Sequence, residues 1–214
     1  DTWVYDLTST PYYNNIGHFA YTNASNVSDA AKEHWERADG VVTFVNYVED
    51  IYVGYKFYET AADEGLIDYD KTVQFPFGYG LSYTTFAYSD LKADADKVTF
   101  TITNTGSRAG AEIAQLYVAK ADAAVFRPEK ELKGFAKVFL QAGECKTVTI
   151  PLDDKAFRYW NVKTDRWETE GGSYQLLVGA SVQDIRLRTE VSVQDTGAPD
   201  PYAGKAVQCY RTAD

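Results

Sequence analysis

The chain has 214 residues, enough for one large domain or two modest ones. Apolar residues make up 45% and charged residues 24%, a globular balance that argues against wholesale disorder, and no run approaches about eighteen consecutive apolar residues, so nothing reads as a membrane span. The net charge of −10 is repelled by a phosphate backbone and by an anionic lipid surface, which argues against nucleic acid and membranes as partners; a neutral ligand such as a sugar is compatible with it, though acidity alone does not suggest one.

Residues 1–84 are aromatic, irregular and turn-rich. Tyr12, Tyr13, Asn14 and Asn15 follow Pro11 without any period and read as a loop. Aromatic faces stack on sugar rings and amide side chains bond hydroxyls, so these four are the candidate substrate contacts; loop tyrosines packed on a neighbouring domain are the more common outcome. Trp3 ranks below them, and Trp35 reads as core. Asn23-Ala-Ser25 and Asn26-Val-Ser28 match the glycosylation pattern, with chance as the better explanation. Ser28 to Ala38 predicts a short helix: Ser28 can cap it, Asp29 suits the first turn, Glu33 and Arg37 pair at i,i+4, and Ala31, Trp35 and Ala38 share one face. Val41 to Val48 is apolar and β-branched, an extended run. Glu49 to Ala62 predicts a second helix, with Ile51, Tyr55, Tyr58 and Ala62 at helical spacing and Gly65 at its C-terminal end; Gly54 inside it costs about 1 kcal/mol relative to Ala. The adjacent carboxylates Glu49 and Asp50 do not face each other on a helix and read as negative charge near its N-terminus, not as an acid/base pair.

From about residue 85 to 194 the pattern becomes period two. Val98, Phe100 and Ile102 alternate with threonines. Ala114, Leu116 and Val118 alternate with Gln115 and Tyr117. Leu132 to Leu140 is a further strand. Val148 and Ile150 alternate with Thr147 and Thr149, and Pro151 ends that run. Phe157, Tyr159 and Trp160 lie in another short strand. Tyr174, Leu176 and Val178 alternate after Gly171-Gly172, and Ile185, Leu187, Thr189, Val191 and Val193 oppose Arg186, Arg188, Glu190 and Ser192. Seven or more short strands with turns about every ten residues predict an antiparallel β-sandwich of immunoglobulin-like or fibronectin type III-like form. Their Thr, Lys and Arg faces read as solvated sheet surface. The fold class is therefore mainly β, with an irregular N-terminal extension holding one or two short helices. Residues 195–214 carry Gly, Pro and Asp without period and read as a linker.

Cys145 and Cys209 are too few for a disulfide scaffold. One bridge is compatible; two free thiols is the plainer reading, and it leans toward a reducing, cytoplasmic address. The N-terminus has neither the basic region nor the apolar core of a signal peptide. His18 and His34 have no metal-ligand spacing and read as ordinary histidines; no metal and no cofactor are expected. The chain contains no methionine and begins with Asp1, so it is expected to be an excised or processed piece of a longer protein.

Two stretches carry a family likeness: Tyr52-Val-Gly-Tyr-Lys-Phe-Tyr58 and Phe75-Pro-Phe-Gly-Tyr-Gly-Leu-Ser-Tyr-Thr-Thr-Phe86. Both resemble the segment that joins the second catalytic domain of family 3 glycoside hydrolases to their fibronectin type III-like domain. Downstream, Asn104-Thr-Gly-Ser-Arg-Ala-Gly110, Gln115-Leu-Tyr-Val118, Arg127-Pro-Glu-Lys-Glu-Leu-Lys-Gly-Phe135 and Tyr174-Gln-Leu-Leu-Val-Gly179 resemble that domain itself. The resemblance runs from about residue 45 to 193. It implies that residues 1–84 are the tail of, and linker from, a catalytic α/β domain, that 85–194 are the sandwich, and that 195–214 lead toward a following domain. The opening stretch resembles members whose barrel comes last, so a barrel is expected after this piece in the parent.

The resemblance also implies a retaining mechanism, which needs two carboxyl groups about 5–5.5 Å apart with pKa values pushed in opposite directions. The family nucleophile lies in a Ser-Asp-Trp-like motif on the barrel. Here Ser28-Asp29 is followed by Ala30 and Ser89-Asp90 by Leu91; both read as cap and turn residues. No catalytic residue is assigned. In the Phe75–Phe86 motif, Pro76 fixes φ, Gly78 and Gly80 permit tight turning, and Phe75, Phe77, Tyr79, Tyr83 and Phe86 offer large area for burial, as an interdomain clasp would. The tyrosines of 52–58 read as helix packing. The expected role is to brace the catalytic domains of a β-glucosidase-like parent and frame its active-site mouth; the partners are the other domains of the parent and a neutral carbohydrate. The alternatives are a free-standing carbohydrate-binding or adhesion module, which predicts sugar binding by the chain alone, and a complete small enzyme, which predicts turnover of an aryl glucoside.

Overall fold

The computed structural model describes residues 1–6, 16–19, 42–45, 50–201 and 203. In chain order the elements are β1 (Trp3–Val4), β2 (Ile16–Phe19), β3 (Val42–Val45), α1 (Tyr55–Asp63), α2 (Tyr69–Thr72), β4 (Val73–Phe75), β5 (Phe86–Ala93), β6 (Lys97–Asn104), β7 (Gly110–Ala119), β8 (Glu131–Leu140), β9 (Cys145–Pro151), β10 (Arg158–Asn161), β11 (Arg166–Thr169), β12 (Gly172–Gly179) and β13 (Ile185–Val193). The expected helix over Ser28–Ala38, the four candidate contacts Tyr12, Tyr13, Asn14 and Asn15, and His34, Trp35, Glu49 and Cys209 lie outside the described residues. β2 and β3 pair antiparallel, Ile16 with Val45, so part of the apolar 41–48 run is a strand.

Two antiparallel sheets make the sandwich, one ordered β5-β6-β9 and the other β13-β12-β7-β8. Alternation dictates the core. Val98, Phe100 and Ile102 of β6 point inward and are fully buried, as are Leu116 of β7, Leu140 of β8 and Tyr174, Leu176 and Val178 of β12. Val148 and Ile150 of β9 join them. The threonines of β6 face outward; Thr99 meets Thr149 of β9 across the ladder at 3.1 Å between hydroxyl oxygens.

Alternation fails where something else covers the outer face. Tyr117 and Gln115 alternate with the inward set of β7, yet Tyr117 is fully buried and Gln115 nearly so. Tyr117, Ala119, Leu177 and Val182 form a second apolar cluster, against which Tyr55 of α1, Phe77 and Leu132 pack. A central strand covered on both sides loses its polar face. β5 escaped the sequence for a different reason. Phe86 and Tyr88 point to the core, then Leu91 and Ala93 do, because a bulge between Ser89 and Lys92 shifts the alternation by one residue. Asp90 occupies that bulge at φ 56°, so Ser89-Asp90, read as cap or turn residues, lies inside a strand and kinks it. β11 is four residues long and too polar to announce itself.

Helix α1 begins at Tyr55, not Glu49. Gly54 has φ 61°, a left-handed conformation that no α-helix interior contains, so it starts the helix where it was expected to sit inside it. Asp50, at φ 47°, therefore lies in a turn ahead of the helix rather than in its first turn. The C-terminal end is as expected: Leu66 N–H bonds Ala61 O at 2.8 Å and Gly65 N–H bonds Ala62 O at 3.0 Å around a left-handed Gly65. After β13 the chain does not leave the sandwich at once. Thr196 exchanges bonds with Thr169, Gly171 N–H bonds Asp195, and Asn161 and Lys163 hold Pro199 O and Asp200 O at 2.8 and 2.7 Å.

Candidate functional site

The motif from Phe75 to Phe86 forms an arch at the end of the sandwich where β12 gives way to β13. Each anchor of the arch can be traced to one residue. Phe77 stacks on Tyr55 with ring centroids 4.6 Å apart, and its carbonyl accepts the Val182 N–H at 3.0 Å. Gly78 adopts φ 81°, which glycine holds without strain, and a Cβ there would press on the Gln115 side-chain amide. That amide donates to Ala180 O at 2.8 Å, and its oxygen accepts the Tyr117 hydroxyl. Farther along, the Thr84 hydroxyl donates to Asn104 Oδ1 at 2.6 Å. Asn104 is fully buried, accepts from Gly106 N–H at 3.1 Å and donates to Arg108 O and Leu140 O, so all of its amide is used.

Helix α1 supports the arch from behind. The Tyr55 hydroxyl accepts the Leu132 N–H at 2.7 Å, and burial pushes its pKa up to about 12. Lys56 pairs with Glu131 at 3.2 Å, and Thr60 accepts the Glu129 N–H at 2.9 Å. The buried carboxylate of Glu59 takes Lys130 at 3.0 Å and the Gln183 amide at 2.6 Å. Burial pushes the Glu131 carboxyl up, but the ammonium groups of Lys133 and Lys56 outweigh it and hold the group below its usual range. Tyr52 packs on Phe126 and Tyr58 is buried, so the tyrosines of 52–58 pack as expected.

What the arch leaves uncovered is as informative as what it anchors. Tyr79, Leu81 and Tyr83 are 50, 89 and 95% exposed, and Phe75 is 40% exposed. The expectation that Phe75, Tyr79 and Tyr83 bury large areas is therefore not met within this chain. The reason is geometric: the bonds above fix the backbone of the arch against the sandwich, which turns these side chains away from it. The uncovered surface extends on both sides. Trp3 of β1 is the register partner of Phe75 and is itself exposed. Tyr79 and Leu81 share a groove with Ile113, whose cross-strand partner Lys137 lies between exposed Phe135 and Phe139.

That groove encloses about 530 Å³ and has two carboxylates on its walls, Glu112 and Asp184. They do not form an acid/base pair. Both serve one guanidinium: Arg186 Nη2 lies 2.8 Å from Asp184, and Nη1 lies 3.7 Å from Glu112 and donates to Phe86 O at 2.8 Å. Glu112 also accepts the Tyr88 hydroxyl at 2.9 Å. Burial raises the Glu112 pKa against the pull of Tyr88 and Arg186. The cluster pins β5, β7 and β13 together. Among the described residues, no group of three or more His, Cys, Asp or Glu side chains is arranged to hold a metal, and no helix is long and apolar enough to cross a membrane.

Residues 112–182 match the fibronectin type III-like domain family. The chain is 46% identical over 160 residues to thermostable beta-glucosidase B of Acetivibrio thermocellus, an alignment covering 71% of this chain and 20% of that protein. It is 43% identical over 178 residues to the exo-alpha-(1->6)-L-arabinopyranosidase of Bifidobacterium breve, covering 81% of this chain and 22% of that one. The fold matches the crystal structure of the Bifidobacterium adolescentis GH3 beta-glucosidase with a TM-score of 0.64 at 44% identity, over 72% of this chain and 22% of that chain. This chain carries the fibronectin type III-like domain of the family 3 glycoside hydrolases. It spans about a fifth of the length of the relatives it matches. The family match begins within β7 and ends just past β12, so the arch and α1, which pack on it, lie outside the matched residues.

Proposed function

We propose that this chain is a non-catalytic accessory module of a β-glucosidase-like family 3 enzyme, and that the arch is the clasp by which it braces the catalytic domains. One observation carries the reading: Leu81 and Tyr83 stand almost fully in water and Tyr79 half so, on an arch anchored at its two ends by the Val182 N–H on Phe77 O and the Thr84 hydroxyl on Asn104. Exposed apolar area of this kind costs about 25 cal/mol per Å² left wet, and a stiff backbone loses little further entropy when a partner covers it. The occupant is the remainder of the parent polypeptide, since the relatives are about five times longer than the part matched here. Tyr12, Tyr13, Asn14 and Asn15 remain the proposed contacts to a neutral carbohydrate at the mouth of the parent's active site. The relatives are named for removing glucose or arabinopyranose units, so the parent's proposed substrate is a terminal pyranoside.

The test is made in the full-length parent. Leu81→Asp combined with Tyr83→Ser should lower its melting temperature and its activity in parallel, while the isolated chain carrying the same changes unfolds at an unchanged temperature. Equal destabilisation of both would assign the arch to internal packing. Purified chain incubated with an aryl glucoside should release no aglycone; turnover that survives repurification would make it an enzyme in its own right.

A further inference from the structure

The end of the sandwich remote from the arch carries a second aromatic feature. β10 and β11 form a short hairpin in which Trp160 and Trp167 are cross-strand partners. Their ring centroids are 5.7 Å apart at an interplanar angle of 75°, so the two indoles make an open corner, one face-on and one edge-on. Trp160 is 47% exposed and Trp167 42%, whereas Asn161 and Thr169 on the same strands are buried. Lys155 Nζ sits over the Trp167 ring, 5.1 Å from its centroid, and Arg158 of β10 pairs with Asp154 at 3.3 Å. The hairpin is held rigid. Asn161 accepts the Lys163 N–H at 2.9 Å in its turn and donates to Pro199 O, and Lys163 reaches Asp200 O.

We propose that this tryptophan corner is a binding site for a neutral pyranose chain, separate from the clasp. Four features select that ligand. The exposed halves of the two indoles offer an apolar surface to the axial C–H groups of a flat sugar ring, and Lys155, whose ammonium lies over the Trp167 ring, supplies a donor for hydroxyls. The exposed area is small: half of two tryptophans at about 250 Å² each gives roughly 200–250 Å², well short of the ~800 Å² per partner that a stable protein interface needs, and suited to one or two sugar rings. The chain's charge of −10 disfavours a polyanion. The rigid hairpin keeps the ordering cost of binding low. The corner also lies away from the clasp. β12 runs from Gly172 beside the hairpin to Gly179 beside the arch, and eight residues at about 3.3 Å each separate the two by about 25 Å.

The experiment uses the full chain, titrated with cellotetraose and, separately, with a tetragalacturonate of equal length. Indole N–H resonances of the four tryptophans are assigned by single Trp→Phe replacements. Cellotetraose should shift the Trp160 and Trp167 signals and leave Trp3 unmoved, and tetragalacturonate should shift none. By calorimetry, Trp160→Ala or Trp167→Ala should weaken cellotetraose binding about tenfold or more, while Leu81→Ser at the clasp leaves it unchanged. Because the native-chain titration needs no substitution at the corner, a poorly folded variant does not rescue the idea. Saturating cellotetraose that moves neither indole, or binding that both alanine variants retain, overturns the proposal. Since clasp and corner are tested by different variants, failure of one leaves the other standing.

Discussion

Asn104 and Gly78 show how much of the arch rests on single atoms. Asn104→Ala removes the acceptor for Thr84 and Gly106 and the donor to two carbonyls, of which the Thr84 and Leu140 bonds are buried. Leaving buried groups unpaired costs about 1–3 kcal/mol each, so the variant should lose about 2–4 kcal/mol in urea unfolding, and Asn104→Asp, which keeps only the acceptor, should recover part of it. Gly78→Ala meets both a positive φ and the Gln115 amide; a loss of about 1–3 kcal/mol is expected by the same measurement. Tyr55→Phe orphans the Leu132 N–H and should cost about 1–3 kcal/mol. Tyr55 also sets an alkaline limit. Its folded pKa of about 12 lies above the usual phenol value near 10, so the native state favours the protonated form. That contribution is complete below about pH 10 and is lost as the pH rises through 12. A pH series of thermal melts should therefore show a larger alkaline fall for the native chain than for Tyr55→Phe.

The elements differ in how plainly the sequence announces them. β6, β9 and β13 follow strict alternation because one face meets the core and the other meets water. β7 and β12 keep the alternation of Leu116, Val118, Leu176 and Val178, but Tyr117 and Leu177 on the other face gave no sign that α1 and Phe77 would cover them. Such coverage is a long-range fact, invisible to a local pattern. The bulge at Asp90 hid β5 by moving its inward set from Phe86 and Tyr88 to Leu91 and Ala93. Gly54 was legible as an awkward helix residue, and its role as a boundary follows from that same awkwardness. Among site residues, the motif Phe75–Phe86 was found by likeness, whereas Ile113, Phe135 and Phe139 were missed because isolated apolar residues on a strand's outer face look ordinary until their neighbours are placed. At this scale, the α1 interface can be tested as a unit. Glu59→Gln combined with Lys130→Met should preserve the fold but raise amide exchange in α1 relative to the sandwich core.

At the level of the whole molecule, acid should weaken the bond between α1 and the sandwich before it harms the core. The Glu131 carboxyl is held below its ordinary range by Lys133 and Lys56, so its contribution is present above the unfolded value near pH 4.3 and is lost as the pH falls through the lowered folded value. Glu112 has the opposite sign: its raised pKa means that its ionised form opposes folding above about pH 4.3, so Glu112→Gln should leave stability at neutral pH unchanged or slightly higher. Circular dichroism in the near ultraviolet, to which Tyr55 and Tyr58 of α1 contribute, should report the acid transition ahead of the far-ultraviolet signal.

The placement of β5 and β13 has a mechanical consequence. Both strands start near the arch, where Arg186 of β13 holds Phe86 O of β5, and both run toward the tryptophan hairpin. Among the described residues, β5 shares a backbone ladder only with β6, and β13 only with β12, each antiparallel. Tension drawn between Phe86 and Val193 therefore slides each strand along its ladder and strains many rungs together, instead of peeling them singly. A module built this way yields late and abruptly under load.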